Sequence, residues 1–425
     1  MHRRTFLKTA GLLGCCSQIA RADEEERPRF PPPAPLSFRD EKSGLKITDI
    51  RAVTLVPKRP LPAYEPTKGS WNATDVEVAN PLSIYQRFKP RRSLFFADDA
   101  GPNSLVVETN KGVTGFGYGG VGSRYVVDHL RKLLLGEDPF QLERLWDIMW
   151  RGTLYYGRKG LVLHAISAVD NALWDLVGKT LGKPVYELLG KPGRQRVPAY
   201  CTGNNIEEAV EFGFRKIKLA LPYGPADGET GLQKNEQLVR RARQLFGTDG
   251  EIMLDCWMAL TEQYAEELAA RLEPHRVYWM EECLMPDDYI GMERLNARVN
   301  STRMATGEHE YTRYGFELLA RCKAADIWQP DMAWCGGLTE MRWIDSLARA
   351  HRIPVIPHGG WRDGAGHFVF SNDNTPWCEM FLPWPGGPQE VYDRFEEDNG
   401  ITRGPMGIYM RPSDRPGLGL DVQPA

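Results

Sequence analysis

From Val197 onward the chain repeats one pattern, a short apolar strand followed by an amphipathic helix, at intervals of roughly 20–40 residues. The expected strands are Val197–Cys201, Lys216–Leu219, Ile252–Asp255, Val277–Glu281, Arg303–Glu308, Asp326–Asp331, Pro354–His358 and Cys378–Leu382. Helical periods over Thr261–Leu272, Asp287–Val299, Arg313–Cys322 and Thr339–His351 lie between them. Serial β-α units make a parallel sheet, and eight of them close into a barrel. The fold class is therefore α/β: a modified TIM-type (β/α) barrel over residues 191–395.

At 425 residues the chain has room for a companion domain. Residues 45–190 read as an α+β cap. Lys46–Val53 and Ser104–Thr109 alternate as strands, Asn110-Lys111-Gly112 is a turn into Val113–Gly117, and residues 125–190 have helical spacing. Residues 60–100 have no period but many aromatics and arginines, as expected of a binding loop or lid. The loop-rich tail, 396–425, is expected to return to the cap and complete it.

Ahead of the cap, Arg3-Arg4-Thr5-Phe6-Leu7-Lys8 resembles a twin-arginine export signal. A short apolar stretch and Ala20-Arg21-Ala22, a cleavage site, end it at residue 22. The stretch is too short to span a membrane, and the expected destination is the periplasm, with lipid attachment at Cys15 as the alternative. Acidic, proline-rich residues 23–44 read as a tether without a fold. Cys201, Cys256, Cys283, Cys322, Cys335 and Cys378 are scattered without a CxxC pair and are expected to be free thiols. A net charge of −3 gives no basic field, which argues against nucleic acid or an anionic membrane as partner. Large barrels with exposed caps often assemble, so a homo-oligomer is expected.

Polar residues fall where such a barrel does its chemistry. Asp255, Glu281 and Glu308 each end an apolar strand, at separations of 26 and 27 residues, one unit apart. Strand C-termini point to one mouth. Three carboxylates there repel one another unless a hard cation joins them, and an all-oxygen set favours Mg²⁺ over Zn²⁺. Asp331 and His358 end the next two units, again 27 apart, as a carboxylate that orients an imidazole for acid/base work. Lys216 and Lys218 alternate so as to face one way, inward, where burial beside a metal would depress their pKa values and make one a neutral base. Glu379 is a further strand-end acid, placed to hydrogen-bond a developing enediolate if protonated.

The series Lys-x-Lys, Asp, Glu-Glu, Gly-Glu, Pro-Asp, His and Pro-Gly-Leu-Gly resembles the mandelate racemase branch of the enolase superfamily over residues 45–425. Within it, Met253-Leu254-Asp255-Cys256-Trp257-Met258 and Gln329-Pro330-Asp331-Met332-Ala333-Trp334-Cys335-Gly336-Gly337 look most like the L-rhamnonate dehydratase group of acid-sugar dehydratases. The resemblance implies Mg²⁺ on Asp255, Glu281 and Glu308, His358 with Asp331 as the acid/base, and Glu379 near the intermediate. It puts His309, Glu282, Trp257 and, from the cap, Arg92 against the substrate. Two features depart from that group: its members lack the lysine pair, and Ser70-Trp71 stands where they have His-Trp.

The expected reaction is removal of the α-proton of an aldonate or aldarate by Lys218 or His358, then loss of the β-hydroxyl as water. Racemisation or epimerisation of a 2-hydroxy acid, with Lys218 and His358 as opposed bases, is the alternative within the same site. A non-catalytic sugar-acid binding protein on an enzyme scaffold is the alternative outside it.

Overall fold

A computed structural model of the chain describes residues 29–36, 38, 44–65, 78–85, 87–89, 101–190, 193–383 and 385–425. The expected export signal, Ser70, Trp71 and Arg92 lie outside the described residues.

Strands β1 (Ile47–Val53), β2 (Leu55–Pro57), β3 (Ser104–Thr109) and β4 (Thr114–Tyr118) precede helices α1 (Val127–Leu134), α2 (Leu142–Thr153), α3 (Leu161–Leu181) and α4 (Val185–Leu189). β1, β3 and β4 form an antiparallel sheet, and the β3–β4 hairpin turns through Gly112 at φ 75°. Helix α3 is apolar on nearly all sides because it is buried on nearly all sides. It rests directly on β4, whose alternate positions are glycine. A Cβ at Gly115, Gly117 or Gly119 would fall 2.0, 2.1 or 2.2 Å from the carbonyls of Ala172, Ala168 and His164. That glycine stripe sets the distance of α3, and of His164 on it, from the rest of the molecule.

The barrel follows as β5 (Val197–Thr202), α5 (Ile206–Phe212), β6 (Lys216–Ala220), α6 (Gly228–Phe246), β7 (Glu251–Asp255), α7 (Glu262–Leu272), β8 (Trp279–Glu281), α8 (Tyr289–Arg298), β9 (Arg303–Thr306), α9 (Thr312–Cys322), β10 (Ile327–Trp328), α10 (Gly337–His351), α11 (Gly366–Ser371) and β11 (Cys378–Met380). β5 to β10 pair in parallel in chain order, and β11 closes on β5. The seventh stave is reduced to one parallel bridge, Val355 with Trp328. Strands end earlier than expected: β9 stops at Thr306 and β10 at Trp328, so Glu308, Asp331 and His358 stand on the turns beyond. For β9 the cause is Gly307, whose φ of 129° takes the chain out of the ladder. Tyr200, Met253, Trp279, Ala305, Ile327, Ile356 and Trp377 pack together as a buried apolar cluster.

Helix α12 (Gln389–Asp398) and strands β12 (Thr402–Gly404), β13 (Gly407–Met410) and β14 (Val422–Pro424) complete the chain. The tail serves both domains: β13 pairs with β5 of the barrel, and β14 with β2 of the cap. The Pro-Gly-Leu-Gly motif is a clasp. Leu418 N–H donates to Asp175 of α3 at 2.9 Å, and a Cβ on Gly417 would meet that carboxylate at 2.2 Å.

The expectation of a free tether needs correcting for residues 29–36. Arg29 pairs with Glu317, Phe30 lies edge-on to Tyr314 at 5.1 Å, and Pro32 O accepts from Ser346 at 3.1 Å, so this stretch lies on α9 and α10. Arg29, Phe30 and the carbonyls of Pro32 and Ala34 hold it, and Leu36 packs against the core beyond. All six cysteines beyond the leader are free.

Candidate active site

Asp255, Glu281 and Glu308 converge as the spacing requires, each offering an oxygen within 4.8 Å of the others. Burial, then repulsion from Glu281, pushes Asp255 up to about 7. Burial, with Glu282 and Asp255 nearby, pushes Glu308 well above the carboxylate range. Glu308 Oε2 is buried with no hydrogen-bond partner among the described residues. A buried orphan oxygen among converging carboxylates is a polar group awaiting a ligand, and the all-oxygen set fits Mg²⁺.

The two lysines separate. Both face inward on β6, as the alternation implies, but register decides their depth. Asp255 pairs with Ala220, Met253 with Lys218 and Glu251 with Lys216. Lys218 reaches up to Glu281 and Glu379 at 2.7 and 2.8 Å, with Asp255 at 3.8 Å. Burial alone would lower its pKa, but Glu281, Glu379, Tyr200 and Asp255 carry it well above the usual value. Those carboxylates shift Lys218 in the direction opposite to the expected lowering. Lys216 lies deeper, away from the carboxylates. Its ammonium is 5.2 Å from the Trp377 ring and donates to Met406 O at 3.4 Å. Its pKa is lowered by burial, as expected, but no reacting group is beside it. The strand position level with Asp255 holds Ala220, which has no acid/base group.

Glu379 also differs from expectation. Its oxygens accept from Thr202 Oγ1 at 2.5 Å, Lys218 Nζ at 2.8 Å and Gly359 N–H at 2.6 Å. Burial would raise its pKa, but Lys218 and His358 hold it at about 2, so it is an anion with both oxygens engaged rather than a proton donor.

His358 Nδ1 lies 2.7 Å from Asp331 Oδ2, and its Nε2 faces Glu308 at 3.7 Å. Burial would lower the imidazole's pKa, but Glu308, the Asp331 hydrogen bond and Glu379 raise it to about 10. His309 forms a second imidazole–carboxylate pair, Nδ1 to Glu282 at 2.8 Å. Against burial, Glu282 and Glu308 raise it to about 9. Glu282 and Trp257 hold left-handed backbone, φ 46° and 38°, where the chain turns out of β8 and β7. Such strain in non-glycine residues collects at binding sites. Trp257 N–H donates to Asp255 Oδ1 at 3.0 Å and so orients that carboxylate.

Two residues at the mouth have no signature of their own in the sequence. Trp334 sits inside the Gln329–Gly337 motif without a marked role, and His164 is hidden inside an apolar helical period. Trp334 lines the approach to His358, where Asn103, Gly119–Val121, Asp331–Trp334 and His358 border a cleft of about 140 Å³ between cap and barrel, and His164 stands behind the indole at 6.1 Å.

A closed parallel barrel under an α+β cap, with three carboxylates and a His–Asp pair at its mouth, is the arrangement of the enolase superfamily. The chain belongs to that superfamily, in its mandelate racemase / muconate lactonizing enzyme branch. Residues 202–425 match the enolase C-terminal domain-like family, and residues 102–190 the branch's N-terminal domain. It is 40% identical over 386 residues to an L-rhamnonate dehydratase of Saccharopolyspora erythraea, covering 89% of this chain and 97% of that protein. The crystal structure of L-rhamnonate dehydratase from Gibberella zeae superposes with a TM-score of 0.76 at 34% identity, over 92% of this chain and 95% of that one. The same enzyme complexed with Mg gives 0.76 at 33% identity, over 89% and 94%.

Proposed function

We propose that this chain is an acid-sugar dehydratase, a Mg²⁺-dependent hydro-lyase that converts an aldonate or aldarate into a 2-keto-3-deoxy acid. The observation that carries it is the His358–Asp331 pair beside Asp255, Glu281 and Glu308. Asp255, Glu281 and Glu308 hold the ion, and when bound Mg²⁺ supplies positive charge to the substrate carboxylate and offsets the Glu308 charge that raises His358. Asp331 keeps His358 Nδ1 occupied, so Nε2 takes the proton from C2. The same imidazolium returns a proton to the hydroxyl on C3, which leaves as water, and the resulting enol becomes the keto acid. Lys218, fixed by Glu281 and Glu379, keeps positive charge beneath the site. His309 and Glu282 hold the substrate's oxygens.

Racemisation needs a second base opposite His358, and Lys218 is spent on its carboxylates. The relatives make L-rhamnonate the first substrate to test. Arg3-Arg4 in the leader supports export by the twin-arginine route, and a homo-oligomer remains the expected assembly, to be read by light scattering.

The mature chain with Mg²⁺ should release keto acid from L-rhamnonate or another member of an aldonate and aldarate panel run in deuterated water. Deuterium at C2 without keto acid would instead identify an epimerase. His358→Asn should lower dehydration by about 10²–10⁴-fold with the fold intact. Normal turnover in that variant removes His358 from the chemistry.

A further inference from the structure

Asp331 does two things at once. While Oδ2 holds His358, its Oδ1 accepts from Ala333 N–H at 2.6 Å and its carbonyl from Trp334 N–H at 3.0 Å and Cys335 N–H at 2.8 Å. The acid/base pair and the turn carrying Trp334 are therefore one construction. The indole, half-buried, stands beside three imidazoles from three parts of the chain. Ring centroids lie 5.0 Å away for His358, 5.4 Å for His309 and 6.1 Å for His164.

The cap braces this turn from behind. Gly336 N–H donates to Ser167 at 2.9 Å, Leu338 N–H to Asn171 at 3.1 Å and Thr339 N–H to Asp170 at 2.8 Å, so α3 supplies the side-chain caps for the first turn of α10. His164, on the same helix, is fixed by Val121 O at 2.9 Å and Tyr311 Oη at 3.2 Å. Its ring fits against the chain because residue 120 is glycine, where a Cβ would fall 2.5 Å from the imidazole.

We propose that Trp334 is a positioning residue: its indole, backed by His164 of the cap, packs against the His358 and His309 imidazoles at 37° and 33° to their planes and fixes the angle at which His358 meets the substrate. Each imidazole is hydrogen-bonded through Nδ1 to one carboxylate, Asp331 for His358 and Glu282 for His309, with Glu308 beyond bonding distance of both at 3.7 and 3.5 Å, so each ring is left free to tilt. The indole face removes that freedom. Reaction geometry is sensitive to displacements of about 1 Å, which can cost about 10²-fold. This role rests on the dehydratase reading, with His358 as acid/base.

The test compares Trp334→Phe, Trp334→Leu, Trp334→Ala and Gly120→Ala with wild type, each checked for Tm and for its Mg²⁺-induced Tm rise. Trp334→Ala and Trp334→Leu should lose about 10–100-fold in kcat while KM moves by less than about threefold. Trp334→Phe, which keeps an aromatic face, should recover most of it, and Gly120→Ala, which displaces His164, should lower kcat with the indole still present. Leucine matching phenylalanine, or wild-type kcat in the alanine variant, overturns the proposal. Crystal structures of wild type and Trp334→Leu give a readout without turnover. A His358 ring turned by more than about 30° supports the role, and an unmoved ring overturns it even if no sugar acid is dehydrated.

Discussion

Two groups of histidines show how one side chain serves opposite ends. At the barrel mouth, His358 and His309 face carboxylates and, against the effect of burial, are raised to about 10 and about 9. Along the seam of cap, barrel and tail, His367 meets backbone groups, and His164, reaching the mouth from the cap, meets Val121 O, Tyr311 Oη and the Trp334 ring. His367 Nδ1 accepts from Tyr186 N–H at 3.2 Å, and burial takes it down to about 4; burial likewise lowers His164. The mouth sets imidazoles against carboxylates for a cation and a proton transfer, whereas the seam sets His367 against backbone groups and gives it no carboxylate partner at hydrogen-bond distance among the described residues. Partner chemistry, more than burial, separates the two.

The mouth should break first when its charges are unbalanced. Removing Mg²⁺ with EDTA, or replacing Glu308→Gln, should take dehydration to background. Mg²⁺ at a hundred times its Kd should stabilise the wild type by about 2.7 kcal/mol, read as a Tm rise, and leave Glu308→Gln unmoved. An equal rise in both would mean that Glu308 is no ligand. Lys218→Met should follow closely, since it leaves Glu281 and Glu379 buried without their cation. Loss of one partner from a buried ion pair costs about 3–5 kcal/mol. Urea unfolding measures it, and an unchanged midpoint would show those carboxylates to be neutral.

The seam should respond to acid instead. His367 binds its proton at about 4 when folded and at about 6.5 when unfolded. Its contribution is therefore complete above about 6.5 and is lost as pH falls toward 4, because only the unfolded chain takes up a proton in that window. The loss approaches about 3 kcal/mol. His367→Gln, which can keep the hydrogen bonds but does not titrate, should show a flatter decline of Tm between pH 7 and 4. Parallel curves for the two proteins would place the acid-labile group elsewhere.

Much of the mouth was legible because barrel strands are short apolar runs, and chance rarely ends three of them in step with an acid. Face was legible too: Lys216 and Lys218 do point inward. Depth was not, because a period of two says nothing about which residue of β7 a lysine stands beside. Nor was the charge state of Glu379, whose partners Thr202, Lys218 and Gly359 come from β5, β6 and the turn after Val355. His164 was invisible for another reason: its partners Val121 and Tyr311 are remote in sequence, and only the glycines of β4 bring its helix near. The tether misled because a few contacts scattered through a charged, proline-rich stretch, from Arg29, Phe30, Leu36 and two backbone carbonyls, are enough to hold it down.

The lysine pair supplies the finest version of the contrast, one residue type two positions apart on one strand. Lys216→Met keeps the volume, removes a buried ammonium and gives up a carbonyl contact and the Trp377 face. Volume-conserving exchanges of this kind cost less than about 1.5 kcal/mol, and the relief of desolvation works in the opposite direction. Stability should therefore stay within about 1 kcal/mol of wild type, with kcat and KM unchanged, against the large loss expected for Lys218→Met. A Lys216→Met enzyme that folds normally yet dehydrates at a tenth of the wild-type rate would show that Lys216 reaches the chemistry. Depth along β6 would then not be what divides the two lysines.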